Sequence, residues 1–257
     1  MNYEKRKVLI TVKTYPIPSQ TYQETVCTAG VLEDGTFIRL YPIDFRYMPY
    51  EKWYKKYQWV EVYVKKHESD YRKESYRPKL QSIRAIGEPI PAKGDWNERK
   101  KYVLAKGTKT IEQLIECHKN DNTSLGIVKP KKVEELIIEQ DDPQWPPEQQ
   151  AVFQQERLLG PRQKPLEKIP FKFSYKFFCD DMSCNGHKMM IADWEIGQHY
   201  RNMRDKYKNK PEDAAKIVRQ KFFDVMCHCD RDTYFFVGTV LGHSSWIVLG
   251  VFWPKKC

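Results

Sequence analysis

The chain has 257 residues, enough for one large domain or two small ones with a real core. Its 44 Lys and Arg exceed its 34 Asp and Glu, giving a net charge of +10, and aromatic residues make up 14% of it. That balance excludes a disordered chain and favours a polyanionic partner, nucleic acid foremost.

The first third reads as strands. KVLITVKTYP is one, and its apolar run from Val8 to Val12 is too short for a secretion signal. ETVCTAGVLEDGTFIRLYPI is a hairpin with its turn at Asp34-Gly35. PYEKWYKKY, from Pro49 to Tyr57, reads as a short helix, and the alternation in QWVEVYVKK reads as a half-buried strand. A loop, HESDYRKESYRP, leads to a strand over Leu80 to Ile86. The middle is more helical. One helix is expected in DWNERKKYVLAKG with Asp95 as N-cap, and another in TKTIEQLIECHKND with Ile111, Leu114 and Ile115 on one face. SLGIVKP and VEELIIEQ follow as strands, then a Pro- and Gln-rich linker with a short helix. The last third opens on FKFSYKFF, an amphipathic strand, continues through two helices that start near Asp193 and Pro211, and closes on the strands TYFFVGTV and SSWIVLGVFWP.

The segment after FKFSYKFF carries the sharpest motif. Cys179, Cys184 and His187 have C-x4-C-x2-H spacing in a turn between two β segments, with Gly186 freeing the backbone. Thiolate and imidazole suit zinc, and the spacing also matches the start of a plant-type ferredoxin run, so an iron–sulfur cluster is the alternative. A closed site needs a fourth ligand, for which Cys227 or Cys229 is expected. The odd cysteine count, seven, argues against a simple disulfide framework.

Asp193 and Glu195 flank Trp194 after an apolar run, in the manner of an acidic pair that holds Mg²⁺ in a nuclease. The simpler account makes Asp193 a helix cap and pairs Glu195 with His199 one turn on. The chain contains no P-loop, G-x-G-x-x-G, G-x-S-x-G or H-E-x-x-H.

Cations and aromatics are interleaved in three places. SDYRKESYRP offers Arg72, Lys73, Tyr76 and Arg77; the segment from Gly35 to Tyr57 adds Arg39 and Arg46; and Lys129, Lys131 and Lys132 form a basic turn. Such surfaces suit single-stranded nucleic acid or an extruded base.

KFSYKF, CDD, C-x-GH, DWE, TYFFVGT and WIVLG together resemble a family of uncharacterised bacterial proteins. CTAGV, DGTFIRLYPI and ESYRP extend the likeness over most of the chain. The resemblance implies a bacterial protein and carries over no functional residue.

The sequence therefore reads as α+β. A β-rich basic domain with helical additions, a small curved sheet or partial barrel, spans 1–142; a linker spans 143–170; a β-knuckle-αα-hairpin unit spans 171–257. The expected function is nucleic-acid binding with a structural metal, in the cytoplasm and without a membrane span. The alternatives are a Mg²⁺-dependent nuclease and a small-anion or nucleotide sensor.

Overall fold

Strand β1 (Glu4–Lys13) is buried on both faces from Val8 to Val12, which is why its apolar run is continuous rather than alternating. Val8 and Ile10 point into one core, and Leu9 and Val12 into another. The computed structural model describes residues 2–19, 23–154, 166–208, 210–243 and 245–256. β1 pairs with β3 (Gln23–Val31), which pairs with β2 (Ile17–Ser19) and β4 (Phe37–Ile43). β4 runs parallel to β6 (Ser75–Pro78), β6 pairs with β5 (Trp59–Lys66), and β5 returns to β1. The expected curved sheet thus closes into a five-stranded barrel, with β7 (Arg84–Ile86) as an extra strand on β5. Gly35, at φ +81°, makes the β3–β4 turn in a conformation that favours glycine.

Three expectations for the first third differ from the structure, and one is the strand over Leu80 to Ile86, which is a 3₁₀ turn at Leu80–Ser82 followed by β7. Pro49–Tyr57 forms only a single 3₁₀ turn at Tyr50–Lys52, because Tyr54 and Tyr57 are drawn in opposite directions, one into the barrel core and the other against Trp96 and Phe252. The loop HESDYRKESYRP contributes a barrel strand, β6, and so is half buried.

Helix α1 (Asn97–Val103) is preceded by Trp96 in the capping position, with no side-chain cap from Asp95. α2 (Ile111–Asp121) starts on a capping box between Thr110 and Gln113. Ile111 and Leu114 are buried, while Ile115 stays exposed.

β8 (Leu125–Val128) pairs with β12 (Tyr234–Thr239), which also pairs with β13 (Trp246–Phe252). β9 (Lys132–Gln140) pairs with β10 (Phe171–Phe178), whose other neighbour is β11 (His187–Met190). β10 buries Phe171, Phe173, Tyr175 and Phe177 and needs a partner on each edge; β9 supplies one across the 143–170 segment. Of that segment, α3 (Pro147–Gln154) is helical and 155–165 lie outside the described residues.

α4 (Trp194–Tyr207) and α5 (Pro211–Arg219) follow, and α5 passes into a wider-turned stretch at Gln220–Val225. The chain is an α+β protein, mostly sheet, with five α-helices among the described residues. The barrel and the C-terminal sheets meet through Thr14, which bridges Asp193, and through Tyr15 N–H, which donates to the Ala192 carbonyl at 2.8 Å. No helix among the described residues is long and apolar enough to cross a membrane.

Candidate functional site

The β10–β11 turn and the first turn of α2 converge on one point. Cys179 follows β10, Cys184 lies in the turn, His187 opens β11, and Glu112 comes from α2; their ligand atoms all lie within 4.8 Å of one another. Cys184 Sγ is 3.3 Å from His187 Nε2, which is 2.9 Å from Glu112 Oε1. Gly186 sits at φ +90°, and a Cβ there would lie 2.9 Å from the Phe178 ring. Only glycine makes the turn that brings the donors together. Burial pushes the Cys179 thiol up to about 12. Burial also acts to raise Glu112, but bonds from its own backbone, from Cys184 and the charge of His187 outweigh it and hold the carboxyl low. The second carboxylate oxygen, Oε2, is buried without a hydrogen-bond partner. Two thiols, an imidazole and a carboxylate are a donor set that could hold a metal ion. Cys227 and Cys229 lie outside this group: Cys227 Sγ donates to the Phe222 carbonyl at 3.5 Å, and Cys229 is exposed beside His228.

Asp193 and Glu195 share a lysine instead of a metal. Asp193 Oδ1 caps α4 by accepting from Glu195 N–H at 3.0 Å. Its Oδ2 lies 3.2 Å from Lys56 Nζ, and Glu195 Oε2 lies 2.9 Å from the same nitrogen. The Lys56 ammonium is thus shared by the two carboxylates. Burial raises the Asp193 carboxyl to about 6 against the pull of Lys56, whereas Lys56 holds Glu195 below the usual range.

Most of the expected basic contacts are spent inside the molecule. Arg39 is 1% exposed and donates to the Ser124 carbonyl. Arg72 is buried, forks onto both oxygens of Asp70 and donates to the Thr239 carbonyl at 2.7 Å, tying the β6 approach to β12. Arg46 pairs with buried Glu24. Lys73 pairs with Asp121, Lys129 with Asp232, Lys131 with Asp180 and Lys132 with Glu134. Tyr76 packs against the barrel core with Lys66 over its ring, and Arg77 is exposed on β6.

Among the described residues, a different group of cations shares a cleft with a single carboxylate, that of Glu195. Lys55, Arg99 and Lys221 line a cleft of about 510 Å³ where the barrel meets the C-terminal sheets, and none has an ion-pair partner among the described residues. Its walls include Tyr57, Trp96 and Trp253. The Arg99 guanidinium lies 4.0 Å from the Tyr57 ring centre and 4.7 Å from that of Trp96, and Lys221 lies over Trp253. Burial lowers the Arg99 pKa and outweighs the opposing charge of Glu195, so this cation is partly desolvated. Glu195 and His199 enter from α4. Burial and Lys221 lower His199, leaving the ring neutral at pH 7, and its buried Nε2 has no partner.

Backbone geometry marks the same place. Among the described residues, four non-glycine residues have φ near +50 to +60°. Asn122 and Lys208 end α2 and α4, an ordinary site for that conformation. Tyr57 (φ 61°) and Trp96 (φ 62°) end no helix, and both face the cleft. Bulky residues held left-handed carry strain that the surrounding structure must offset.

A family model described as Domain of unknown function (DUF8757) matches residues 106–257, and one described as Domain of unknown function (DUF8758) matches residues 4–105. The chain belongs to the DUF8757 family. The two matches meet between α1 and α2, with the whole barrel on the N-terminal side. No curated protein matches the chain. Among solved structures, one titled as a murine DNA binding protein bound with ds DNA aligns over 99% of this chain and 97% of that one, at 12% identity and a TM-score of 0.34.

Within this DUF8757 member, sequence spacing reaches three of the four clustered donors. Glu112 lies 75 residues before His187, in a charged helix whose letters do not single it out. Arg99, Lys221, Trp96 and Trp253 come from separate elements, and only the packing of the barrel on the C-terminal sheets assembles them.

Proposed function

We propose that the protein is a cytoplasmic nucleic-acid-binding protein that holds a single strand at the Tyr57–Trp96–Trp253 cleft and carries a structural zinc ion on Glu112, Cys179, Cys184 and His187. The observation that supports strand binding is the trio Lys55, Arg99 and Lys221, cations beside aromatic rings without an ion-pair contact among the described residues, on a surface where the other candidate lysines are paired. Cations follow a phosphate backbone and aromatic faces stack on bases of any sequence, at about 1–3 kcal/mol per base. The cleft takes over the role expected of the Arg72–Arg77 loop.

Zinc suits the donor set. Zinc bonds of about 2.0–2.3 Å put neighbouring tetrahedral donors roughly 3.3–3.8 Å apart, close to the 3.3 Å between Cys184 Sγ and His187 Nε2 and inside the 4.8 Å that spans the group. A two-iron cluster distributes its ligands over two metal centres, whereas these four donors surround one point. Bound there, zinc would cross-link α2 to the β10–β11 turn. Glu112 Oε1 and the imidazole would serve as hard ligands, and the metal would hold both thiols as thiolates.

Fluorescence anisotropy with a labelled single strand at about 100 mM salt tests the binding reading. Binding tighter than to the matching duplex is expected. Absence of binding to both overturns the reading, and Mg²⁺-dependent cleavage of the strand would replace it with the nuclease.

A further inference from the structure

We infer that the cleft receives one unstacked nucleotide, with its base against Trp253, the half-buried ring of the aromatic wall, and its phosphate on the cations. This rests on the nucleic-acid reading and deepens it by naming the unit that enters. A volume of about 510 Å³ is that of a small-molecule site, on the order of 300–1,000 Å³, rather than of a groove that tracks a duplex. The ligand is therefore compact, and the cations, which outnumber the one carboxylate among the described residues of the lining, Glu195, favour an anionic one.

The interior of the cleft supplies edge recognition. Glu195 is anchored through Oε2 by Lys56, which leaves Oε1 without a partner among the described residues. Held ionised, that carboxylate only accepts hydrogen bonds, so it suits a base that presents an exocyclic amino group. One turn along α4, the buried and unpartnered Nε2 of neutral His199 adds a second polar contact. Such a group costs free energy until something bonds to it.

The aromatic wall is built in advance. Trp96 and Trp253 meet edge to face, with centroids 5.4 Å apart and planes at 64°, and so form a corner. Tyr57 N–H donates to the Ile10 carbonyl, and the Tyr57 carbonyl accepts from Ile90 N–H at 2.7 Å, which fixes the left-handed backbone on both sides. Strain held in this way fixes the buried Tyr57 ring as a backing for Trp96 and Arg99 before any ligand arrives. An extruded base in a strand and a free nucleotide offer this corner the same chemistry.

Calorimetric titration of the whole protein with adenosine, cytidine and uridine 5′-monophosphates, ribose 5-phosphate and a short single strand tests the inference. The three nucleotides should bind at least tenfold tighter than ribose 5-phosphate. Trp253→Leu should erase that difference while leaving ribose 5-phosphate unchanged, and Glu195→Gln should reduce the preference for the amino-bearing bases over uridine. Equal affinity for ribose 5-phosphate in the wild-type protein would make the cleft a phosphate site and overturn the inference, whatever the variants do. Binding of the strand without any mononucleotide would also overturn it and would leave the nucleic-acid reading intact. Binding of mononucleotides without the strand would uphold the inference and remove that reading. Binding of neither would remove both.

Discussion

Lys56 Nζ lies 3.2 Å from Asp193 Oδ2, across 137 residues of chain, and both side chains are almost wholly buried. This pair fastens the barrel to the start of α4 and holds Glu195 at the cleft. Lys56→Met would leave a buried carboxylate without its counter-ion, at a cost of about 3–5 kcal/mol at pH 7. The burial-raised Asp193 carboxyl rises further above its unfolded value once the ammonium is gone. Stability from a raised carboxyl is present below the unfolded pKa and is lost as pH rises through the folded one. Denaturant melts should therefore show a larger loss for Lys56→Met at pH 7 than at pH 5.

Lys13 titrates in the opposite sense. Its ammonium lies 4.3 Å from the Phe45 ring centre and near Tyr54 and Trp194, and burial, followed by repulsion from Lys56, lowers it to about 8. A depressed folded pKa gives stability that is present above the unfolded value, 10.5, and lost as pH falls through 8. Between these limits wild-type protein should gain stability relative to Lys13→Met as pH rises. A constant difference across that window would show that Lys13 is solvated.

Metal analysis separates the donors. Cys184→Ala and Glu112→Gln should lower zinc content and the melting temperature, whereas Cys227→Ser and Cys229→Ser should retain stoichiometric metal. Structural zinc contributes on the order of 10 kcal/mol in small finger peptides, and less is at stake in a larger core. Metal-free wild-type protein with an unchanged melting temperature would remove zinc from the account.

Arg72→Ala should act on the fold. It removes the fork onto Asp70, which is 1% exposed, and the bond to the Thr239 carbonyl, so a loss of about 3–5 kcal/mol is expected. Strand affinity, measured where the variant is still folded, should change little.

Elements with strong local signals were legible in the sequence. The Asp34-Gly35 hairpin, the alternation of FKFSYKFF and the Asp193 cap all follow from short-range chemistry and occur as expected. Burial of cations was not legible. Arg39 and Arg72 have the composition of a phosphate-binding surface, yet the barrel and β12 enclose them, because their partners Ser124 and Thr239 are distant in sequence. The three clustered donors of the β10–β11 turn were readable for the same reason that Glu112 was not: local spacing shows ligands of one turn, and only tertiary packing brings in a helix from elsewhere.

Salt dependence is the most direct test of strand binding at the cleft. For single strands, each phosphate contact adds roughly 0.7 to the slope of log affinity against log salt. Replacing Lys55, Arg99 and Lys221 together with Gln should weaken binding to every sequence and flatten the slope by about two. The same slope in the triple variant as in the wild type, with affinity intact, would contradict the account and place the strand on another surface.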